Sequence, residues 1–131
     1  MGRHHARVYA QDPTCELVGV VDADPARARE IAEQHGTRAF SSEEELIDAG
    51  VDAVSVATPT SSHREVASKF LDRGIACLIE KPLALDADEA EELKDLSHRT
   101  GAVLMVGHIE RFNPVMRAMQ RATETGQPVI P

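Results

Sequence analysis

Leu17-Val18-Gly19-Val20-Val21-Asp22-Ala23-Asp24-Pro25 is the most informative stretch of this chain for its fold. Its opening run is apolar without alternation, which marks a strand covered by helices on both faces rather than one with a wet side. Two carboxylates come directly after it. Asp24 stands where an N-cap belongs and Pro25 at the first helical position. Ala28, Ile31 and Ala32 then fall on one side of a helix that Gly36 stops. A buried strand running directly into a capped helix is the opening of a repeated βα unit.

The same unit recurs along the chain. Beside the first strand at residues 17–21, strands are expected at Arg38–Phe40 and at residues 53–57, 75–79 and 102–106. Ser42 with Glu45, Ser62 with Glu65, and Asp86 with Glu89 have capping-box spacing, and Gly50, Gly74 and Gly101 lie where those helices stop. Val66, Ala67, Phe70 and Leu71 in one helix, and Ala90, Leu93 and Leu96 in another, repeat at helical spacing and belong to a core. The predicted fold is α/β with a doubly wound parallel sheet.

Composition narrows the function. The 131 residues fit one domain, and 14 Lys and Arg against 22 Asp and Glu leave a net charge of −8. Such a surface repels phosphate backbones and anionic lipids unless a local basic patch opposes it, and no such patch is visible, so neither nucleic acid nor membrane is an expected partner. The longest apolar runs fall far short of the roughly 20 residues that span a bilayer. The polar N-terminus does not read as a signal peptide. Cys15 and Cys77 sit in apolar surroundings without His or Cys at metal spacing. They read as buried free thiols in a reducing cytoplasm, with no metal site. A small-molecule enzyme domain is the class left.

In an open parallel sheet ligands bind beyond the carboxyl ends of the strands, so the residues just after each apolar run are the informative ones. Asp22 stands about where a dinucleotide-binding fold keeps the carboxylate that accepts the adenosine-ribose hydroxyls; Asp24 reads better as a plain cap. Ala23 comes next, with no Arg or Ser there to hold a 2′-phosphate, which leans towards NAD over NADP. After the third run comes Thr58-Pro59-Thr60-Ser61-Ser62-His63, a hydroxyl-rich turn into a helix start; His63 reads first as a solvated first-turn residue and second as a ligand contact. After the fourth comes Glu80-Lys81-Pro82. A charged pair ending a buried strand is either solvated or held in a cleft, and a Lys held there supplies positive charge or a proton donor to a substrate oxygen, on a loop restricted by Pro82. After the last run, Gly107 permits close backbone approach and His108, Arg111 and Asn113 offer donors, while Glu110 reads equally well as a structural partner of Arg111.

Five segments in this order resemble the nucleotide-binding half of the glucose–fructose oxidoreductase/myo-inositol dehydrogenase (Gfo/Idh/MocA) family. They are Met-Gly-Arg-His-His-Ala at residues 1–6, Val-Val-Asp-Ala-Asp at 20–24, Ala-Thr-Pro-Thr at 57–60, Glu-Lys-Pro at 80–82 and Gly-His-Ile-Glu-Arg-Phe-Asn-Pro at 107–114. The resemblance spans nearly the whole chain and implies a Rossmann-like domain that binds NAD(P). Together with a second α/β domain it would oxidise or reduce a secondary hydroxyl on a sugar, sugar nucleotide or inositol-like polyol. It makes Lys81 the catalytic lysine near nicotinamide and substrate, Glu80 a nicotinamide-ribose contact, Asp22 the adenosine-ribose acceptor and Gly2 the last glycine of the phosphate loop. The implied cofactor-binding set comprises Gly2 and Arg3, Asp22, the turn of Ala57, Thr58, Pro59 and Thr60, then His63, then Glu80, Lys81 and Pro82, and finally His108, Arg111 and Asn113. The last segment looks like that of members acting on UDP-hexosamines.

Two departures from the family pattern carry expectations of their own. An apolar strand and a Gly-x-Gly turn would precede Met1, so the sheet should lack its first, central strand. The strands ending at Asp22 and Ala57 should each then have an unpaired edge. Residues 1–125 would form this incomplete dinucleotide-binding domain, and 126–131 the start of a linker to an absent substrate domain through which a homo-oligomer would also assemble. The chain alone is expected to be a poor or inactive catalyst. The competing reading is a non-catalytic nucleotide-binding or partner-binding module.

Overall fold

Asp24 caps its helix as the sequence requires: one carboxylate oxygen accepts the backbone N–H of Ala26 at 2.9 Å and that of Arg27 at 3.5 Å. In the computed structural model, which describes residues 1–124, this helix is α2 (Pro25–His35). It is preceded by α1 (Gly2–Gln11) and β1 (Gly19–Val21) and succeeded by β2 (Arg38–Phe40) and α3 (Glu43–Asp48). β3 (Ala53–Val56) leads through a 3₁₀ turn at Thr60–Ser62 into α4 (His63–Leu71). β4 (Ala76–Ile79), α5 (Ala87–Thr100) and β5 (Leu104–Val106) come next, then a 3₁₀ turn at Ile109–Phe112 and α6 (Pro114–Glu124). The expected linker at 126–131 lies outside the described residues.

All strand pairs are parallel, but they form two sheets. β1 pairs with β2 in one, and β3, β4 and β5 pair in that order in the other. No ladder joins β1 to β3 among the described residues. This is the α/β arrangement expected of a doubly wound sheet without its central strand, in which the order 3-2-1-4-5 would interpose a strand at that point. Val20 and Val21 of β1 are half-buried, as are Ala76 and Leu78 of β4, whereas Val56 of β3 and Cys77 and Ile79 of β4 are buried.

The caps divide by how local they are. Ser42 accepts the Glu45 N–H at 3.2 Å and Asp86 accepts the Glu89 N–H at 2.9 Å, as the sequence predicts. Ser62 does not cap α4: its backbone belongs to the 3₁₀ turn that runs straight into the helix, and its side chain accepts nothing there. Gly36 and Gly101 close α2 and α5 in the left-handed region, at φ 64° and 74°, where a side chain would be strained. β2 spans the expected residues, while the other strands are shorter than expected and leave out residues such as Leu17, Ala57 and Ile75. Helices α1 and α6 were not expected.

The core gathers Phe40, Leu46, Val56, Ala67, Phe70, Leu71, Cys77, Ile79, Leu93, Leu96 and Ala102. α4 packs on β3, β4 and α5, while α2 packs on β1, β2 and α1. Burial pushes the Cys77 thiol up to about 12, so it stays protonated and inert. Cys15, expected to be buried, is exposed, because α1 ends at Gln11 and the chain turns along the surface before β1. Among the described residues no helix is long and apolar enough to cross a membrane.

Gly19 has a specific reason to be glycine. A Cβ there would lie 2.3 Å from the Phe40 ring and 2.8 Å from the Arg38 carbonyl oxygen. Gly19→Ala must therefore displace a buried aromatic ring, and is expected to lower stability by about 1–3 kcal/mol in urea unfolding, the range of an overpacked core. Alkylation of the folded protein should modify Cys15 and spare Cys77 until the chain unfolds.

Candidate functional site

Register places the site. Val56 and Ile79 are partners at the ends of β3 and β4, and Ile79 is the partner of Val106 at the end of β5, so three strands finish at one level. The segments leaving β3 and β4 open onto a common space. A cavity of about 370 Å³ lies there, lined by Met1, Ala57, Thr58, Pro59, Thr60, His63, Glu80 and Lys81. The turn after β3 thus contributes two threonines, and the segment after β4 contributes a carboxylate and an ammonium.

Glu80 is only 6% exposed, and its carboxylate is held by neighbours on both sides. One carboxylate oxygen accepts from His5 Nε2 at 2.8 Å, and the other accepts the backbone N–H of Lys81 at 3.2 Å. Behind it, a Cβ on Gly107 would come within 3.3 Å of the carboxylate, so the close approach read at Gly107 is an approach to Glu80. The hydrogen bond from His5 holds the Glu80 carboxyl below its usual range, against the opposing effect of burial. His5 was missed from the sequence. It lies 75 residues from Glu80 on helix α1, and the one signal for it was its place in the family-like segment at residues 1–6. Tyr9, one turn further on, meets Ser55 of β3 hydroxyl to hydroxyl at 2.6 Å, so α1 is fastened to the sheet at two points.

His63 is 1% exposed, not the solvated first-turn residue expected of it. Its Nε2 lies 3.0 Å from the Thr58 carbonyl oxygen and its Nδ1 3.0 Å from that of Pro82. The helix start is covered by the Pro82–Leu83 segment, which the sequence pattern around His63 does not reveal. No buried side-chain nitrogen or oxygen among the described residues is without a partner.

The other predicted residues stand apart from the cavity. Gly2 begins α1 beside Ala57, at ordinary contact distance, and α1 has no side-chain cap, so no side chain occupies the amides of Gly2 and Arg3. Asp22 comes directly after β1, accepts the Asp24 N–H at 2.9 Å and pairs with Arg27 at 3.3 Å. A cation therefore does stand beside Asp22, supplied from the first turn of α2. Lys81, which lines the cavity, is exposed on its rim; Pro82 and, beyond β5, His108 and Arg111 are exposed as well. Asn113 is engaged at the start of α6, accepting the Val115 N–H at 3.0 Å and donating to Glu110 at 2.8 Å. Among the described residues no group of three or more His, Cys, Asp and Glu could hold a metal ion.

A parallel sheet with a polar cleft at its carboxyl edge and a carboxylate after β1 defines a dinucleotide-binding protein of Rossmann type. Residues 1–108 match the model of the oxidoreductase family with an NAD-binding Rossmann fold (GFO_IDH_MocA), and the chain belongs to that family. It is 43% identical over 122 residues to the UDP-N-acetylglucosamine 3-dehydrogenase of Acidithiobacillus ferrooxidans, covering 93% of this chain and 38% of that protein. It is 33% identical to the scyllo-inositol 2-dehydrogenase (NAD(+)) of Bacillus subtilis, covering 97% of this chain and 38% of that protein. Among solved structures, GenD2 from gentamicin A biosynthesis, in complex with NAD, superposes with a TM-score of 0.88 at 35% identity, over 95% of this chain and 36% of GenD2. The chain thus spans less than two fifths of the length of these relatives.

Because the folded Glu80 carboxyl titrates lower than in the unfolded chain, near 4.3, it contributes stability that is full above that value and lost as the pH falls through the folded one. Glu80→Gln removes this contribution. Thermal melting monitored between pH 6 and about pH 3 should show a shallower loss of stability with acid for Glu80→Gln than for the parent.

Proposed function

We propose that the chain is the cofactor-binding part of an NAD-dependent dehydrogenase acting on a secondary hydroxyl of a sugar, nucleotide sugar or inositol-like polyol. Its substrate pocket would be completed by a second domain. The observation that carries this reading is the convergence of Thr58, Thr60, Glu80 and Lys81 on one cavity at the carboxyl ends of adjacent parallel strands, the place where this class of sheet binds ligands. The length of the relatives beyond the matched portion leaves room for such a domain. The 43% identity to a UDP-N-acetylglucosamine 3-dehydrogenase and the segment at 107–114 favour a nucleotide sugar among the substrates. Two free cysteines suit a reducing compartment such as the cytoplasm.

The residues present fit a dinucleotide. The uncapped amides of Gly2 and Arg3 at the start of α1 suit a phosphate oxygen, and Asp22 suits the hydroxyls of the adenosine ribose. Glu80, already oriented by His5, keeps acceptor capacity for the nicotinamide ribose. Bound NAD supplies the acceptor for a hydride. Lys81 would act on the substrate: its ammonium donates a hydrogen bond to the reacting oxygen and steadies the negative charge gathering there, while the carbon-bound hydrogen leaves as hydride to NAD and the hydroxyl proton passes to a base of the second domain. The threonine-lined turn of residues 57–60 closes the cofactor side of the cavity. NAD is the favoured cofactor because a carboxylate at Asp22 repels a 2′-phosphate, although Arg27 beside it lessens that repulsion.

Calorimetric titration tests the cofactor. NAD should bind the 131-residue chain weakly but measurably, and Asp22→Ala should weaken it by about tenfold, the effect of losing one charged acceptor, while leaving NADP unaffected or improved. Absence of heat with either dinucleotide at millimolar concentration overturns the reading. Catalysis is tested in a chimera in which residues 1–124 replace the matching part of the Acidithiobacillus ferrooxidans dehydrogenase. There Lys81→Ala should lower kcat about 10²- to 10⁴-fold, as loss of a positioned proton donor does; full turnover removes Lys81 from the mechanism.

A further inference from the structure

We propose that His63 is a positioning residue: its ring ties the turn after β3 to the loop after β4 and thereby sets the distance across the cavity between Thr58 and Lys81. The β3–β4 ladder ends where the Glu80 N–H donates to the Val56 carbonyl at 2.9 Å. Beyond that bond the two chains diverge into separate loops. Among the described residues, the hydrogen bonds that cross between these loops are those of the His63 ring, with Nε2 on the Thr58 carbonyl at 3.0 Å and Nδ1 on the carbonyls of Pro82 at 3.0 Å and Leu83 at 3.3 Å.

A backbone carbonyl only accepts, so whichever ring nitrogen carries the proton is the donor, and a donor at Nδ1 ties the start of α4 to the Pro82–Leu83 segment. At 1% exposure, with both nitrogens against protein oxygens, the ring has nothing left to offer a ligand. Its influence on the site therefore passes through Thr58 on one side and through Pro82, next to Lys81, on the other. Packing alone asks for none of this. A buried aromatic hydrocarbon would fill the same space between α4 and the Pro82–Leu83 segment without holding either loop.

This proposal rests on the dinucleotide reading for its functional consequence but not for its structural content, and the experiment separates the two. His63→Phe keeps a ring and removes both ring nitrogens. His63→Gln restores a donor amide and serves if the Phe variant does not fold. As a control, Leu96→Ala loosens the core on α5, away from the cavity. His63→Phe should weaken NAD binding about tenfold and shift the backbone amide resonances of Thr58, Thr60, Lys81 and Leu83. His63→Gln should recover part of both effects. Leu96→Ala, compared at a matched loss of thermal stability, should leave NAD affinity within about twofold. NAD binding by His63→Phe equal to that of the parent, or amide shifts confined to α4, overturns the proposal. If the parent itself binds no NAD, the cofactor reading fails, and amide hydrogen exchange still decides this one. Faster exchange at Thr60 and Lys81 in His63→Phe than in the Leu96→Ala control supports the tie, and equal exchange overturns it.

Discussion

The parallel register of β3, β4 and β5 governs both the packing of this molecule and its chemistry. Strand ends in a parallel ladder fall on the same side, and here Val56, Ile79 and Val106 stand level, so the loops after β3 and β4 open into one cavity and Gly107, after β5, backs onto Glu80. An antiparallel pairing would have sent alternate loops to opposite edges. Parallel pairing needs a crossover between successive strands, and the chain supplies α4 and α5: α4 packs on β3 and β4, α5 packs on α4, and their Phe70, Leu71, Leu93 and Leu96 join the core.

Charge placement at that edge derives from the same geometry. A buried carboxylate is expensive unless it is bonded, and Glu80 is tolerated because α1 delivers His5 to it while Gly107 leaves it room. Lys81, one residue on, is exposed on the rim. The Glu80-Lys81 pair is therefore split between a fixed, satisfied acid within and an exposed ammonium at the opening. That division suits an acid that orients a bound group and a cation that meets a reacting one.

Legibility tracked range. Asp24, Ser42 and Asp86 were readable as caps because a cap is decided within three residues, and the strands were readable as apolar runs set between capped helices, although β1 is only half-buried and Met105 of β5 is exposed. Ser62 failed as a cap because the preceding turn tightened into 3₁₀ geometry. Cys15 failed as a core thiol because apolar neighbours in sequence do not say which side of the chain faces inward. Arg27 escaped notice beside Asp22 because the first turn of α2 folds back over the strand end, so the relevant cation comes from five positions on rather than from the next residue.

Reading along the chain was enough to establish the class of fold, the family and the residues that stand after each strand. These depend on local patterning, capping and the order of short motifs, all properties of neighbours in sequence. That His5 reaches Glu80 and that His63 lies buried between two loops emerged only once the chain was folded. Each of those is a meeting of groups far apart in sequence. The partners are set by which backbone edges and side-chain donors remain to be satisfied after the helices have packed.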